Sequence, residues 1–220
     1  MSEGSPESVR AILGGRGVRD IGVLVGGALG ARMIGILAMP VIARLFDPAV
    51  FGQASFIVAF ATMVTLLATL AYENAIVLPA RDAEADRVAR LAGATLAATV
   101  FVVLPLASLL WPRAWLPEWF GGGIGLWVLL GLLVLVRGAG NIFQSTATRY
   151  RRFPALARAD LAEDAGRAGG RIVWGLTLPA NFTGLIVPHV AAMTARLWIL
   201  WRAAQPPAAG GAVVRGGAPV

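Results

Sequence analysis

Long apolar stretches, separated by short charged or turn-forming segments, dominate the chain from residue 21 onward. A helix needs about 20 apolar residues to cross a hydrocarbon core of about 30 Å, so stretches of that size predict membrane-spanning helices. Six are found, at about 21–43, 51–78, 91–111, 123–145, 172–178 and 184–201. The pattern predicts an all-α polytopic membrane protein whose spans, about six in number, form one bundle.

The fifth stretch is the least regular of the six. Its clean apolar run covers only residues 172–178, and six charged residues precede it. Either this span is short, or a long helix carries a polar face into the protein interior. The charged residues are Arg158, Asp160, Glu163, Asp164, Arg167 and Arg171.

The chain divides into three parts by composition. We expect residues 1–20 to form a polar cytoplasmic segment, 21–202 the transmembrane bundle and 203–220 a disordered tail rich in Ala, Gly and Pro. With both termini placed in the cytoplasm, arginines outside the spans number 14 on the inner side and 2 on the outer side. By the positive-inside rule this predicts an integral protein of a bacterial inner (plasma) membrane with both termini cytoplasmic.

Composition supports a lipid environment and limits the chemistry. Hydrophobic residues make up 57% of the 220 residues and charged ones 14%, a balance too apolar for a water-soluble domain. All 19 basic residues are Arg, and they are spread between the apolar segments, which favours contact with membrane lipids over a nucleic-acid partner. We find no catalytic constellation, and with no Cys and one histidine, His189, we expect no enzyme, no metal and no cofactor. His189 is expected to make a hydrogen bond between helices.

Polar side chains at membrane depth mark the first candidate site. Arg32 lies near the middle of the first helix, where a charge is costly unless it faces a watery cavity or a partner. It needs either a counter-charge or an anionic ligand, and both stay open. On the fourth helix Arg137, Asn141, Gln144 and Thr148 follow spacings of four, three and four, which places them on one face that should point inward.

A second candidate lies near the end of the second stretch, where Tyr72 and Glu73 are adjacent. Glu73 is close enough to the membrane surface to meet water but too deep for a free surface charge. It is either paired with an arginine or serves, with Tyr72, as a gating or coupling group.

Small residues recur every four positions on the first helix, in two rows. Such rows let helix backbones approach closely, so they predict tight packing against a neighbouring helix. One row is Gly22, Gly26 and Gly30, and the other is Gly27, Ala31 and Gly35.

Three ordered stretches resemble a known family. Residues 43–52 read A-R-L-F-D-P-A-V-F-G, which is similar to the Ala-Arg-Leu-x-x-Pro-x-x-Phe-Gly pattern of the polysaccharide (O-antigen type) flippases in the MATE-like exporter superfamily. Residues 72–79 and 149–153 fit the same family in the same order. The resemblance covers about residues 10–202 and corresponds to the N-terminal half of the family.

This resemblance implies a V-shaped pair of helical bundles around a central cationic cavity. It implies transport of a polyprenyl-pyrophosphate-linked oligosaccharide from the inner to the outer leaflet, as in lipopolysaccharide O-antigen synthesis. Arg32 and, less directly, Arg137 would hold the pyrophosphate by charge-assisted bonds, with Asn141 and Gln144 beside them. The alternatives are a drug or cation exporter of the same superfamily, which would favour an acidic cavity, and a non-transporting scaffold for glycan synthesis.

The length departs from the family pattern. Full-length relatives have twelve or more spans, whereas about six are predicted here, and alternating access needs two bundles that rock around a shared site. Three interpretations stay open: a truncated chain or fragment, a homodimer, or a partnership with a separately encoded second half.

Overall fold

The computed structural model describes residues 16–79, 81–110 and 124–205, which contain helices and no strand. One helix, Asp82–Ala98, continues through a π-helical turn, Thr99–Val103, directly into the helix Leu104–Leu110, where Pro105 lacks the N–H for a regular α-helical bond. Most of the predicted terminal segments lies outside the described residues, although residues 16–20 belong to the first helix. The helices are α1 Arg16–Leu45, α2 Pro48–Thr69, α3 Tyr72–Ala75, α4 Asp82–Ala98, α5 Leu104–Leu110, α6 Ile124–Arg149, α7 Phe153–Thr177 and α8 Phe182–Ala204.

Four described helical stretches are long and apolar enough to cross a membrane, judged by length and composition. With 30 residues, α1 also has the length to do so, about 45 Å at 1.5 Å per residue. The 25-residue α7 is long as well but carries the charged residues of the fifth stretch. The predicted class, an all-α polytopic membrane protein, is confirmed. The four stretches are Pro48–Thr69, Ala83–Leu110, Ile124–Arg149 and Phe182–Ala204.

The turn between α1 and α2 follows from its local chemistry. Asp47 Oδ1 accepts a hydrogen bond from the Ala49 backbone N–H at 2.7 Å, which caps α2. Pro48 occupies the first turn, where a helix needs no backbone donor. Phe46 is buried in an apolar cluster that joins α1, α2 and α8. The sequence motif at residues 43–52 therefore specifies a tight connection.

The second predicted stretch, residues 51–78, is not one continuous helix. It ends at Thr69 because Leu70 and Ala71 adopt the left-handed backbone conformation, with φ of 48° and 55°. Left-handed residues without a glycine are uncommon, and periodicity in the sequence gives no warning of them. The break places Glu73 in the separate four-residue helix α3.

The fifth predicted stretch is a long helix with an inward polar face. The helix α7 starts at Phe153, well before the apolar run of residues 172–178, and packs against α1 on one side and α8 on the other. Of the two interpretations left open by the sequence, the structure shows the second. Three arginines that the count of charges placed in an inner loop, Arg158, Arg167 and Arg171, thus lie in a helix.

Apolar clusters surround this polar face. The largest joins α2, the α4–α5 rod, α6 and α8 around the fully buried Ile57, Leu130 and Val134. Large side chains on the opposite faces are exposed, among them Leu109 and Ile124 at 82% and 81%. Exposure of that degree is expected where the surrounding solvent is lipid.

Only one of the two small-residue rows on α1 packs closely. A Cβ at Gly27 would lie 2.6 Å from the Cβ of Ala157 on α7, and Ala31 in the same row is buried. A Cβ at Gly26 or Gly30 in the other row would meet nothing within 4 Å. The predicted close packing therefore holds for Gly27 and Ala31 but not for Gly35 of the same row, where a Cβ would meet nothing within 4 Å.

This contact gives a stability prediction. The Gly27→Ala variant should lower the thermal unfolding midpoint of the detergent-solubilised protein, because neither Ala157 nor its backbone can yield, and overpacking costs about 1–3 kcal/mol. Gly30→Ala on the same helix is the matched control and should leave the midpoint unchanged or higher. Equal midpoints for the two variants would contradict the α1–α7 contact.

Candidate functional site

A polar cavity of about 320 Å³, here called the first cavity, lies between α1, α6, α7 and α8. All four residues predicted to bind ligand line it, although they come from two distant parts of the sequence: Arg32, Arg137, Asn141 and Gln144. The structure therefore brings the predicted binding residues together. Further charged side chains share the lining: Asp160, Glu163, Asp164, Arg167 and Arg196.

The α6 face is positioned by helical spacing and by a small residue. Arg137, Asn141 and Gln144 lie on one face of α6, as their spacing predicts. Between them, a Cβ at Gly140 would lie 3.6 Å from Nη1 of Arg196, so this position is in contact with the arginine of α8. The polar face of α6 and the polar face of α7 thus line the same cavity.

The three carboxylates of α7 all have arginine partners. Nε of Arg196 lies 3.2 Å from Oδ1 of Asp160 and 3.1 Å from Oε2 of Glu163. Its Nη2 donates to Oε1 of Gln144 at 2.6 Å. Asp164 pairs with Arg167 one turn further along its own helix. Each carboxylate lining the first cavity thus has an arginine partner, with Asp160 and Glu163 sharing Arg196.

Arg32 and Arg137 differ from the other two arginines of the cavity. Neither makes a hydrogen bond or an ion pair with any residue that the structure describes. Arg32 is exposed at the surface of the bundle, and Arg137 is half-buried. Of the two options for Arg32, the described residues supply no counter-charge. Guanidinium groups pair bidentately with phosphate and carboxylate oxygens, so the unpaired donors can hold an anion.

The contribution of α7 and α8 is absent from the predicted site. Its signal lies in the sequence, because Asp160, Glu163, Asp164 and Arg167 follow the spacing i, i+3, i+4 and i+7 of one helical face. The short apolar run after them leaves a short span equally open, so the sequence does not assign this face to the site.

A second cavity of about 510 Å³ lies between α1, α2, α7 and α8 and shares Arg32, Asp164 and Arg167 with the first. Arg171 and His189 also line it. His189 is buried, and neither ring nitrogen has a hydrogen-bond partner within residues 16–79, 81–110 and 124–205. The expected hydrogen bond between helices is therefore wrong for the described part of the chain.

Glu73 lines a third cavity, of about 380 Å³. The residue is 6% exposed, and its Oε2 atom has no hydrogen-bond partner in the described structure. The predicted pairing with an arginine is not found among these residues. Asn141 and Gln144 line this cavity as well as the first, so they stand between Glu73 and Arg137. Tyr72 is exposed and does not line the third cavity.

Arg149 holds the segment after α3 against the end of α6. Its Nη1 donates to the carbonyl oxygens of Ile76 at 3.3 Å and Pro79 at 2.7 Å. These carbonyls follow the helix break at Leu70 and lie outside the regular helices. Arg149 therefore fixes the position of the third cavity by satisfying backbone acceptors that no helix satisfies.

No described group of three or more His, Cys, Asp or Glu side chains is arranged to hold a metal ion.

The Arg196 network gives the second prediction. Arg196→Gln should destabilise the protein by about 3 kcal/mol, because it leaves Asp160 and Glu163 without a partner in a poorly solvated site. Removing one charge as well, in Arg196→Gln/Glu163→Gln, should recover part of the loss. Chemical denaturation in detergent micelles measures both, with the exposed Arg158→Gln on the neighbouring helix α7 as control. A double variant no more stable than the single one would contradict the network.

Comparison with known proteins bears on the N-terminal part of the site. Residues 18–122 match the family described as Polysaccharide biosynthesis protein. No curated protein and no solved structure matches the chain significantly. The matched region contains Arg32, Glu73 and the stretches at residues 43–52 and 72–79, whereas the cavity residues of α6, α7 and α8 lie beyond it. Residues 18–122 are thus similar to this family, and the long apolar helices are those of an α-helical membrane protein.

Proposed function

We propose that this chain binds the pyrophosphate of a polyprenyl-linked oligosaccharide and takes part in moving that lipid from the inner to the outer leaflet. The membrane would be the bacterial inner membrane, with both termini of the chain in the cytoplasm, and the product would supply a cell-surface polysaccharide such as O-antigen. One observation carries the proposal: Arg32 and Arg137, on two different helices, line one cavity, and neither has a carboxylate partner among the described residues.

The charge balance of the cavity supports an anionic ligand. Four arginines and three carboxylates line it, so its formal charge is +1, and every carboxylate has Arg196 or Arg167 as an ion-pair partner. Each free guanidinium offers five N–H donors in a planar array that suits phosphate oxygens. A cation exporter would need free carboxylates here, so the drug or cation exporter is the weaker candidate.

Asn141 and Gln144 provide a means to recognise the polar part of the ligand. Oε1 of Gln144 accepts from Arg196, which leaves its amide group to donate to another partner. Amide side chains both donate and accept, as the hydroxyl groups of a saccharide do. We assign these two residues to the saccharide next to the pyrophosphate.

Glu73 is proposed as the coupling group. Its buried Oε2 atom has no hydrogen-bond partner among the described residues, so it is available to a group that enters the third cavity. Asn141 and Gln144 border both cavities and would connect ligand binding to Glu73. Tyr72 lies on the same short helix and is exposed, so it would take part in gating from the protein surface.

A second helical bundle is proposed as the partner. Transporters with alternating access hold their ligand at the interface of two bundles. Arg32 lines the first cavity and is nevertheless exposed from this bundle, as expected of a site that another body completes. The second bundle would come from another copy of the chain or from a separate half-transporter.

Leaflet movement of a lipid-linked oligosaccharide in proteoliposomes tests the proposal. Arg32→Gln and Arg137→Gln should each slow movement by about tenfold or more, because each removes a charge-assisted hydrogen bond to the anion. Arg202→Gln, exposed and outside all three cavities, should move the lipid at the wild-type rate.

Two results would count against this proposal. Wild-type rates in both cavity variants would remove the assigned binding site. Absence of movement by the wild type, together with co-purification of a glycosyltransferase or polymerase, would favour the non-transporting scaffold.

The coupling role of Glu73 has its own test. Glu73→Gln keeps the size of the side chain but removes its charge, so ligand affinity should stay within about twofold while leaflet movement slows by about tenfold or more. Glu84→Gln, at an exposed position beside Arg81, is the matched control. A wild-type rate of leaflet movement in Glu73→Gln would exclude Glu73 as the coupling group.

A further inference from the structure

The first and second cavities are arranged end to end along the bundle. They share three lining residues, Arg32, Asp164 and Arg167, which mark the place where the two cavities meet. Along α7 the lining extends from Asp160 in the first cavity to Arg171 in the second, a distance of about 16 Å for eleven residues. A ligand that enters one cavity therefore meets the other along the same helix face.

Arg171 is a third arginine without an ion pair. Its Nε donates to the carbonyl oxygen of Leu185 at 3.1 Å, and its two terminal nitrogens have no hydrogen-bond partner in the part of the chain that is described. The carboxylate of the second cavity, Asp164, is engaged by Arg167. The charge of Arg171 is thus not balanced by a direct contact with the described residues.

His189 adds an unused polar group to the same cavity. It is 2% exposed, and both of its ring nitrogens lack a hydrogen-bond partner within the described ranges. Buried polar groups are normally hydrogen-bonded, so the unpartnered ring is available to a ligand that enters the second cavity. In its neutral form the ring has one N–H to donate.

The remaining walls of the second cavity are largely apolar. They come from α1 and α2 and include Ile36, Met39, Ile42, Phe51 and Val58. The first cavity, by contrast, is lined mainly by charged and amide side chains. A ligand that fits the second cavity therefore combines an anionic group with an apolar chain.

We propose that the second cavity is a second anion-binding station, in which Arg171 and His189 receive the phosphate head of a lipid after it leaves Arg137. This inference rests on the proposed function and adds a site to it. Arg32, which lines both cavities, contacts the head in either station. Where the two cavities meet, the phosphate head must compete with Asp164 for Arg167. The Asp164–Arg167 pair therefore separates the two stations.

Calorimetric titration of the full chain in detergent with farnesyl pyrophosphate and with inorganic pyrophosphate tests the proposal. The wild type should bind two equivalents of farnesyl pyrophosphate. Arg171→Gln should weaken one binding event by about tenfold or more and leave the other intact, because one charge-assisted contact is lost. Arg137→Gln should weaken the other event. Arg158→Gln, exposed on the same helix as Arg171, is the matched control.

A second variant separates ligand binding from packing. Arg171→Lys keeps the charge but loses the Nε donor that reaches Leu185 and the planar pair of donors, so it should weaken the Arg171-dependent event less than Arg171→Gln does. Equal loss in Arg171→Lys and Arg171→Gln would show that Arg171 only packs α7 against α8, and would overturn the inference.

The two probes distinguish a lipid head from a free phosphate. At the Arg171-dependent station farnesyl pyrophosphate should bind about tenfold or more tightly than inorganic pyrophosphate, since the walls are apolar. Equal affinities, or a single Arg137-dependent event in the wild type, would contradict a lipid station. Two stations without any leaflet movement would contradict only the proposed function, because the titration does not depend on transport.

Discussion

The structure depends on the pairing of the α7 carboxylates with Arg196 and Arg167. Ionised groups at membrane depth are unfavourable unless they find a partner or water, and α7 carries Asp160, Glu163 and Asp164 into the interior. Their neutralisation allows a strongly charged helix to sit between α1 and α8, where Gly27 provides the room for close contact. Because the carboxylates are used in this way, the remaining arginines define the charge of the cavity.

The sequence predicts most of the fold and half of the site. Apolar stretches of membrane length identify the helices, and the spacing of Arg137, Asn141 and Gln144 predicts a shared inward face that the cavity bears out. Contacts between distant segments are not encoded in a local period, so the partners of Arg196 and the joining of Arg32 to α6 come only from the fold. The left-handed residues that end α2 are likewise invisible to periodicity, because leucine and alanine rarely adopt that conformation.

The family match covers only some of the residues that line the first cavity. The match covers α1 with Arg32, the tight connection to α2 and the helix of Glu73. The residues that face Arg32 across the cavity belong to α6, α7 and α8, beyond the matched part. The family match therefore includes the helix that forms one wall of the site. The chemistry of the opposite wall is inferred from the ion pairs and the unpaired arginines in the structure.

The central claim is that this bundle presents free guanidinium groups to an anion. The most direct measurement is the shift in thermal unfolding midpoint that pyrophosphate and an organic cation of similar size each produce in the purified protein. A ligand that binds only the folded state raises the midpoint. Pyrophosphate should raise it in the wild type and fail to do so in Arg32→Gln/Arg137→Gln, while the cation should have no effect on either. Stabilisation by the cation, or an equal response to pyrophosphate in the double variant, would contradict the account.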